Sequence, residues 1–289
     1  MARLAAVLPL LLLAACATGP VTSIVTTAEK GVEERIPATL EKPQGDGPFP
    51  AIVMMHDCSG LGPTSSGGPG RWARVLVEHG YVVLLPDSFS SRGFPGGVCT
   101  DASPARANVG PRQRARDAYA ALAALSSLPF VDGSHVGLMG GSHGGATVLV
   151  AMLARAAPEE KQHRFAAAVA LYPACATAGG RLIGDPQGVY RALAPLLILV
   201  GEADDWTPAE PCRRLGEAAQ RAGYPVAIKI YPGAYHAFDS DSPPRYVAAR
   251  VNANSPTGRG ATTGGNPAAW ADSIREVLAF FDRNLAANR

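Results

Sequence analysis

Short apolar runs separated by alanine-rich or amphipathic stretches set the rhythm of this chain. Ile52-Val53-Met54-Met55, Val136 to Met139 and Leu196-Leu197-Ile198-Leu199-Val200 are unbroken rather than alternating. Strands that read this way are covered on both faces, as in a parallel sheet. Strands are expected near residues 33–41, 50–56, 81–86, 135–140, 166–172, 195–201 and 226–231. Helices are expected between them, near 70–79, 111–126, 144–156 and 209–222, with a last one near 268–287. The alternation predicts an α/β fold, a doubly wound, mostly parallel sheet flanked by helices, whose strand-end loops gather at one edge. Two segments escape the pattern. Ser59 to Gly70 and Ser240 to Asn266 are rich in Gly, Pro, Ser and Asn without periodicity, and each is either a cap over a pocket or a surface loop.

Gly140-Gly141-Ser142-His143-Gly144-Gly145 follows one of these apolar runs directly and leads into Ala146 to Ala156, a glycine-free stretch rich in Ala, Leu, Met and Val. Strand, sharp turn and helix in this order form a nucleophile elbow, which holds a serine at strained backbone angles with its hydroxyl in the open. Ser142 is the candidate nucleophile. Glycine makes up 32 of 289 residues, so the motif gains its weight from this context rather than from its letters.

A serine nucleophile needs a base and an acid that orients the base, in chain order serine, acid, histidine for this elbow. The run 196–200 ends in Gly201-Glu202-Ala203-Asp204-Asp205-Trp206-Thr207-Pro208, ahead of a helix start at the proline. Asp204 is the candidate acid; Asp205 is the fallback, or else a helix cap or loop hydrogen-bonding residue. Ala227 to Tyr231 gives the last strand, and Pro232-Gly233-Ala234-Tyr235-His236-Ala237-Phe238 follows it with the candidate base, His236. Of the other histidines, His79 and His163 read as helix-surface residues, His135 opens a strand and His143 fills the variable elbow position.

The tetrahedral intermediate of acyl transfer carries an oxyanion, which two backbone N–H groups can hold. The N–H of His143, just after the nucleophile, is one expected donor. The other is that of Cys58, in the loop His56-Asp57-Cys58-Ser59-Gly60 that follows an apolar strand. His56 and Asp57 either brace this loop or touch substrate.

Residues 1–15 read as an export signal, with Arg3, the apolar Val7 to Leu13, and Leu13-Ala14-Ala15-Cys16. The last four residues resemble a bacterial lipobox. That resemblance implies lipidation of Cys16, a linker over 16–30 and a single domain over 31–289; Ala17 points to the periplasmic face of the outer membrane. An ordinary secretory peptide is the other reading. Removing Cys16 leaves Cys58, Cys99, Cys175 and Cys212, an even number in a chain bound for an oxidising compartment. Strand-end positions favour Cys58 with Cys99 and Cys175 with Cys212 as disulfides, against buried free thiols. No Cys-x-x-Cys or His-x-x-x-His spacing suggests zinc.

Lys plus Arg is 26 against 24 for Asp plus Glu, which leaves no basic stripe for nucleic acid. The arginines near Arg112 read as solvated residues of a helix surface. With the leader removed, about 270 residues remain, enough for one large core.

The elbow, the Gly201-to-Pro208 segment, the Tyr231-to-Phe238 segment and Pro86-Asp87-Ser88-Phe89 together resemble the dienelactone hydrolase family over roughly residues 30 to 285. The resemblance implies an α/β-hydrolase fold without a large lid domain, no cofactor, and hydrolysis of small ester or lactone substrates through an acyl-enzyme. It puts Ser142 at the nucleophile, Asp204 at the acid, His236 at the base and Cys58 in the oxyanion loop. Members that use a cysteine nucleophile hold a substrate carboxylate with arginines. Here the nucleophile is serine, Asp57 could stand for the family's acidic partner and Arg92 for one arginine, and Phe238-Asp239-Ser240 replaces the arginine expected after the histidine. Two other readings use the same chain: a non-catalytic envelope lipoprotein or binding module on a hydrolase fold, and an acyltransferase working through the same triad.

Overall fold

The computed structural model describes residues 21–28, 31–154, 164–177, 180–185 and 187–285. The export segment 1–15, Cys16 and His163 lie outside the described residues. Eight strands form one sheet in the order β1-β2-β4-β3-β5-β6-β7-β8. They are β1 (Val21–Thr27), β2 (Glu33–Glu41), β3 (Phe49–Met55), β4 (Val82–Pro86), β5 (Val131–Gly141), β6 (Ala167–Leu171), β7 (Leu196–Gly201) and β8 (Val226–Tyr231). From β4 to β8 every pairing is parallel, while β1 and β2 run antiparallel to their neighbours.

The unbroken apolar runs are explained by burial on both faces. Ala51, Val53 and Met55 point to one core, shared with α2 (Pro111–Ser126), α3 (His143–Ala151) and α4 (Ala209–Arg221). Ile52 and Met54 point to the other, shared with α1 (Gly68–Glu78) and α5 (Pro267–Leu285). The two-residue period of a strand thus survives within a run that shows no alternation in the sequence.

Three expectations change. Residues 21–27, read as part of a linker, form the edge strand β1, which pairs with β2 from Val21↔Thr39 to Thr27↔Glu33. A buried polar network holds β1 in place: Asp117 of α2 accepts from Thr26 Oγ1 at 3.0 Å and from Arg92, and Gln113 Nε2 donates to the Thr27 carbonyl. Helix α3 stops at Ala151 rather than at 156, because Leu153 forms a bridge with Ala192 and the N–H of Ala154 donates to the carbonyl of Arg191. Within the aperiodic segment 240–266 lies a hairpin, β9 (Arg245–Val251) and β10 (Arg259–Thr263). Most of β9 is exposed, so no face of it demanded an apolar pattern. Two short 3-10 turns, Ser90–Arg92 and Pro104–Val109, complete the elements.

Both expected disulfides are present, Cys58–Cys99 and Cys175–Cys212. They close loops with sequence separations of 41 and 37. Loops of this length restrict the unfolded chain by about 4 kcal/mol each on the chain-entropy account. Paired cysteines point to an extracellular or periplasmic protein. No described helix is long and apolar enough to cross a membrane.

Candidate active site

The elbow forms at the end of β5, where Ser142 adopts φ 53°, ψ −114° and the chain turns at once into α3. Its glycines are required by proximity. A Cβ at Gly144 would stand 2.1 Å from the carbonyl oxygen of Met55, and one at Gly140 would stand 2.7 Å from the backbone of Gly144. Helix and strands can approach this closely only without side chains there, and that approach leaves Ser142 at the tip.

Ser142, His236 and Asp204 meet at the carboxyl ends of β5, β8 and β7. Ser142 Oγ lies 2.8 Å from His236 Nε2, and His236 Nδ1 lies 2.8 Å from Asp204 Oδ2. A carboxylate only accepts, so the imidazole proton sits on Nδ1 and Nε2 is free to accept from the serine hydroxyl. Asp204 Oδ1 takes the N–H groups of Trp206 and Thr207 at 2.9 and 2.8 Å, which fixes the carboxylate in place. Thr207 Oγ1 is 3.0 Å from both Asp204 Oδ2 and His236 Nδ1. The imidazole is packed between Tyr172 and Trp206, with ring centroids 4.8 and 4.7 Å away. Asp204 and His236 are buried, while Ser142 is 9% exposed, at the boundary between core and cavity.

Asp205, the fallback acid, faces away. Its carboxylate accepts from the N–H and hydroxyl of Thr262 at 2.7 and 2.8 Å, fastening the β9–β10 hairpin to the acid loop. The same hairpin receives Trp206 Nε1 at the carbonyl of Val251, and its Asn252 donates to the carbonyl of Asp205. His236 itself bridges to Thr263.

Ser142 opens into a cavity of about 520 Å³. Cys58, His143, Trp206 and Thr207 line it, with Arg106 and Ala107 on one side and Val251, Ala253 and Asn254 of the hairpin region on another. Segment 240–266 therefore reaches the pocket, whereas no residue of 59–70 lines it among the described residues. A larger cavity, about 930 Å³, opens between β1, α2 and residues 181–184. Among the described residues no serine, histidine or carboxylate lines it.

The remaining expected contacts divide. His56 is fully buried, its Nδ1 donating to the carbonyl of Asp57 at 2.8 Å and its Nε2 accepting from the N–H of Ser88. Asp57 receives Ser59 N–H, Ser59 Oγ and Ser66 Oγ. Both residues brace the loop of Cys58, and neither lines the cavity. Arg92 is not a free anchor for a substrate carboxylate. Its five N–H donors are spent on Glu34, Asp117 and the carbonyl of Ser88, because the guanidinium is buried against two carboxylates of its own chain. Arg106 is the charged residue that does line the cavity, with one bond at 3.3 Å to the carbonyl of Asp101.

Arg114 departs furthest from expectation. Read as a solvated helix residue, it is fully buried. With Ala118, Ala121, Leu122 and Leu125 it forms the i, i+4, i+7, i+8, i+11 stripe by which α2 meets the sheet, a signal its arginine neighbours Arg112 and Arg116 conceal. His143, beside it, is held well below the usual histidine range, first by burial and then by the charges of Arg114 and Arg106. Burial, with Arg114, does the same to His56.

A serine on a strand-to-helix elbow, with carboxylate and imidazole delivered from later strand ends of a mostly parallel sheet, defines an α/β-hydrolase. The family model of the dienelactone hydrolase family matches residues 36–285. The chain belongs to that family and is a carboxylic ester or lactone hydrolase. A protein of Methylorubrum extorquens named for carboxymethylenebutenolidase activity is 30% identical over 225 residues, covering 74% of this chain and 71% of its own. The solved structure of a protein named as a dienelactone hydrolase, from Klebsiella pneumoniae subsp. pneumoniae, aligns with TM-score 0.62 at 20% identity, over 92% of this chain and 100% of its own. Thermogutta terrifontis esterase 2, phosphorylated by paraoxon, aligns with TM-score 0.63 at 20% identity, over 93% of this chain and 96% of its own.

Proposed function

We propose that this protein is a serine hydrolase that cleaves the ester or lactone bonds of small substrates through an acyl-enzyme. The observation that carries the proposal is the relay from Ser142 Oγ through His236 to Asp204, two contacts of 2.8 Å at the wall of an open cavity. His236 Nε2 takes the hydroxyl proton as Ser142 Oγ attacks the substrate carbonyl, and Asp204 stabilises the imidazolium that results. The N–H groups of Cys58 and His143 receive the oxyanion. The intermediate collapses as the leaving oxygen takes the proton from His236, and a water activated by the same base then releases the acid. With a lactone, the leaving alkoxide stays tethered to the acyl group and the product is a hydroxy acid.

Ser142→Ala is expected to abolish nearly all hydrolysis of a panel of aryl esters and lactones, and to prevent labelling by a fluorophosphonate, with thermal unfolding little changed. Hydrolysis retained by that variant would remove Ser142 from the mechanism. Unlabelled wild-type protein would favour a binding module instead.

The leader carries a second part of the reading. Cleavage after residue 15 and lipidation of Cys16 would anchor the domain in the cell envelope, at the periplasmic face of the outer membrane, where its disulfides are stable.

A further inference from the structure

A fully buried arginine beneath the elbow has no carboxylate in contact with it among the described residues. Among the described residues no carboxylate oxygen lies within 4.0 Å of Arg114. Its neighbouring acids are engaged elsewhere: Asp117 with Arg92, Asp57 with Ser59 and Ser66, Asp87 with the N–H groups of Phe89 and Ser90. Burial pulls the guanidinium down to about 10, which still leaves it charged at neutral pH. The two histidines against it, His56 and His143, are held neutral, and Asp117, Asp57 and Asp87 act on its charge only from beyond contact distance. A guanidinium buried without a carboxylate in contact is expensive, and an apolar residue filling the same space would be cheaper. A fold that keeps the charge has a use for it.

The bonds of Arg114 indicate that use. Nη2 donates to the carbonyl of His56 at 2.6 Å, in the loop that carries Cys58. Nη1 donates to His143 Nδ1 at 2.7 Å, on the residue that follows Ser142. The guanidinium lies over the ring of Phe89, 4.8 Å from its centroid, and that ring meets the edges of both histidines. Nε has no partner. One side chain thus spans both walls of the oxyanion hole and touches no other part of the relay.

We propose that Arg114 is a positioning residue of the oxyanion hole: it sets the spacing between the Cys58 and His143 N–H donors and directs a buried positive charge at the oxygen that becomes negative when Ser142 attacks. This inference rests on the esterase reading and on those two donors. Its effect belongs to the transition state, since the ground-state ester carries no full charge there.

Arg114→Met and Arg114→Lys, compared with wild type on a neutral aryl ester, test it. Arg114→Met is expected to lower kcat about 100-fold with KM within about threefold, the pattern of an interaction made only in the transition state. Affinity for a trifluoromethyl ketone, whose adduct with Ser142 bears the oxyanion, should fall in parallel with kcat. Arg114→Lys keeps the charge and should recover part of both losses, and if Arg114→Met does not fold, the same split between kcat and KM is read from Arg114→Lys against wild type. An unchanged kcat, an effect confined to KM, or unchanged ketone affinity overturns the proposal while leaving the esterase reading intact. A wild-type protein that neither hydrolyses esters nor reacts with the ketone overturns both.

Discussion

His56 and His143 are neutral by design of their surroundings, and this makes folding sensitive to acid. Burial and the charge of Arg114 hold both well below 6.5, so below that pH the unfolded chain binds protons that the native one refuses. Stability then falls as pH falls through and below 6.5, by at most about 1.4 kcal/mol per pH unit for each histidine. Asp239 works in the opposite sense: its carboxyl, raised by burial, takes up a proton more readily when folded. Urea unfolding followed from about pH 7.5 down to about pH 5 should show the midpoint dropping. A flat profile would mean that the two rings are protonated or exposed in the native state.

Single residues also mark how far the sequence could be read. Ser142 and His236 are the lone serine and the lone histidine of their segments, so motif and order single them out as candidates. Asp204 and Asp205 are adjacent, and only the folded loop sends one carboxylate to His236 and the other to Thr262. The partners of Arg92 lie 58 and 25 residues away, Glu34 on a strand and Asp117 on a helix, and nothing local reveals them. Arg114 was legible in principle from the apolar stripe it shares with Ala118, Ala121 and Leu125, but its flanking arginines suggested water instead.

At the scale of elements, the core strands were legible because burial on both faces leaves continuous apolar runs. The β9–β10 hairpin was not, because it adheres through polar bonds. Asn252 is its principal fastening: buried, it donates to the carbonyls of Asp205 and Gly260 at 3.0 and 2.7 Å and accepts from the N–H of Asn254. Asn252→Ala would strand these groups at a cost of about 1–3 kcal/mol. The expected result is faster limited proteolysis between 245 and 263 and a lower kcat/KM, since the hairpin also bridges to His236 and lines the pocket. Unchanged proteolysis would show that the disulfide-held loops alone secure this region. Edge strand β1 escaped notice for a related reason: its anchor is the buried cluster of Thr26, Gln113, Asp117 and Arg92, a set of polar residues scattered over the chain.

For the whole molecule, the direction of β1 has a topographic consequence. Ser142, Asp204 and His236 all follow strands at one end of the sheet, and β1 starts level with that end: Val21 stands beside Thr39, which pairs with Leu85 near the carboxyl end of β4. If Cys16 carries the lipid, the five residues to Val21 form a leash of at most about 17 Å. The bilayer then sits within that reach of the sheet end on which Ser142, Asp204 and His236 stand. On vesicles, the lipidated enzyme should gain activity on esters embedded in the same bilayer relative to soluble Cys16→Ala protein; embedded esters left untouched would mean that this end of the sheet is held away from the membrane.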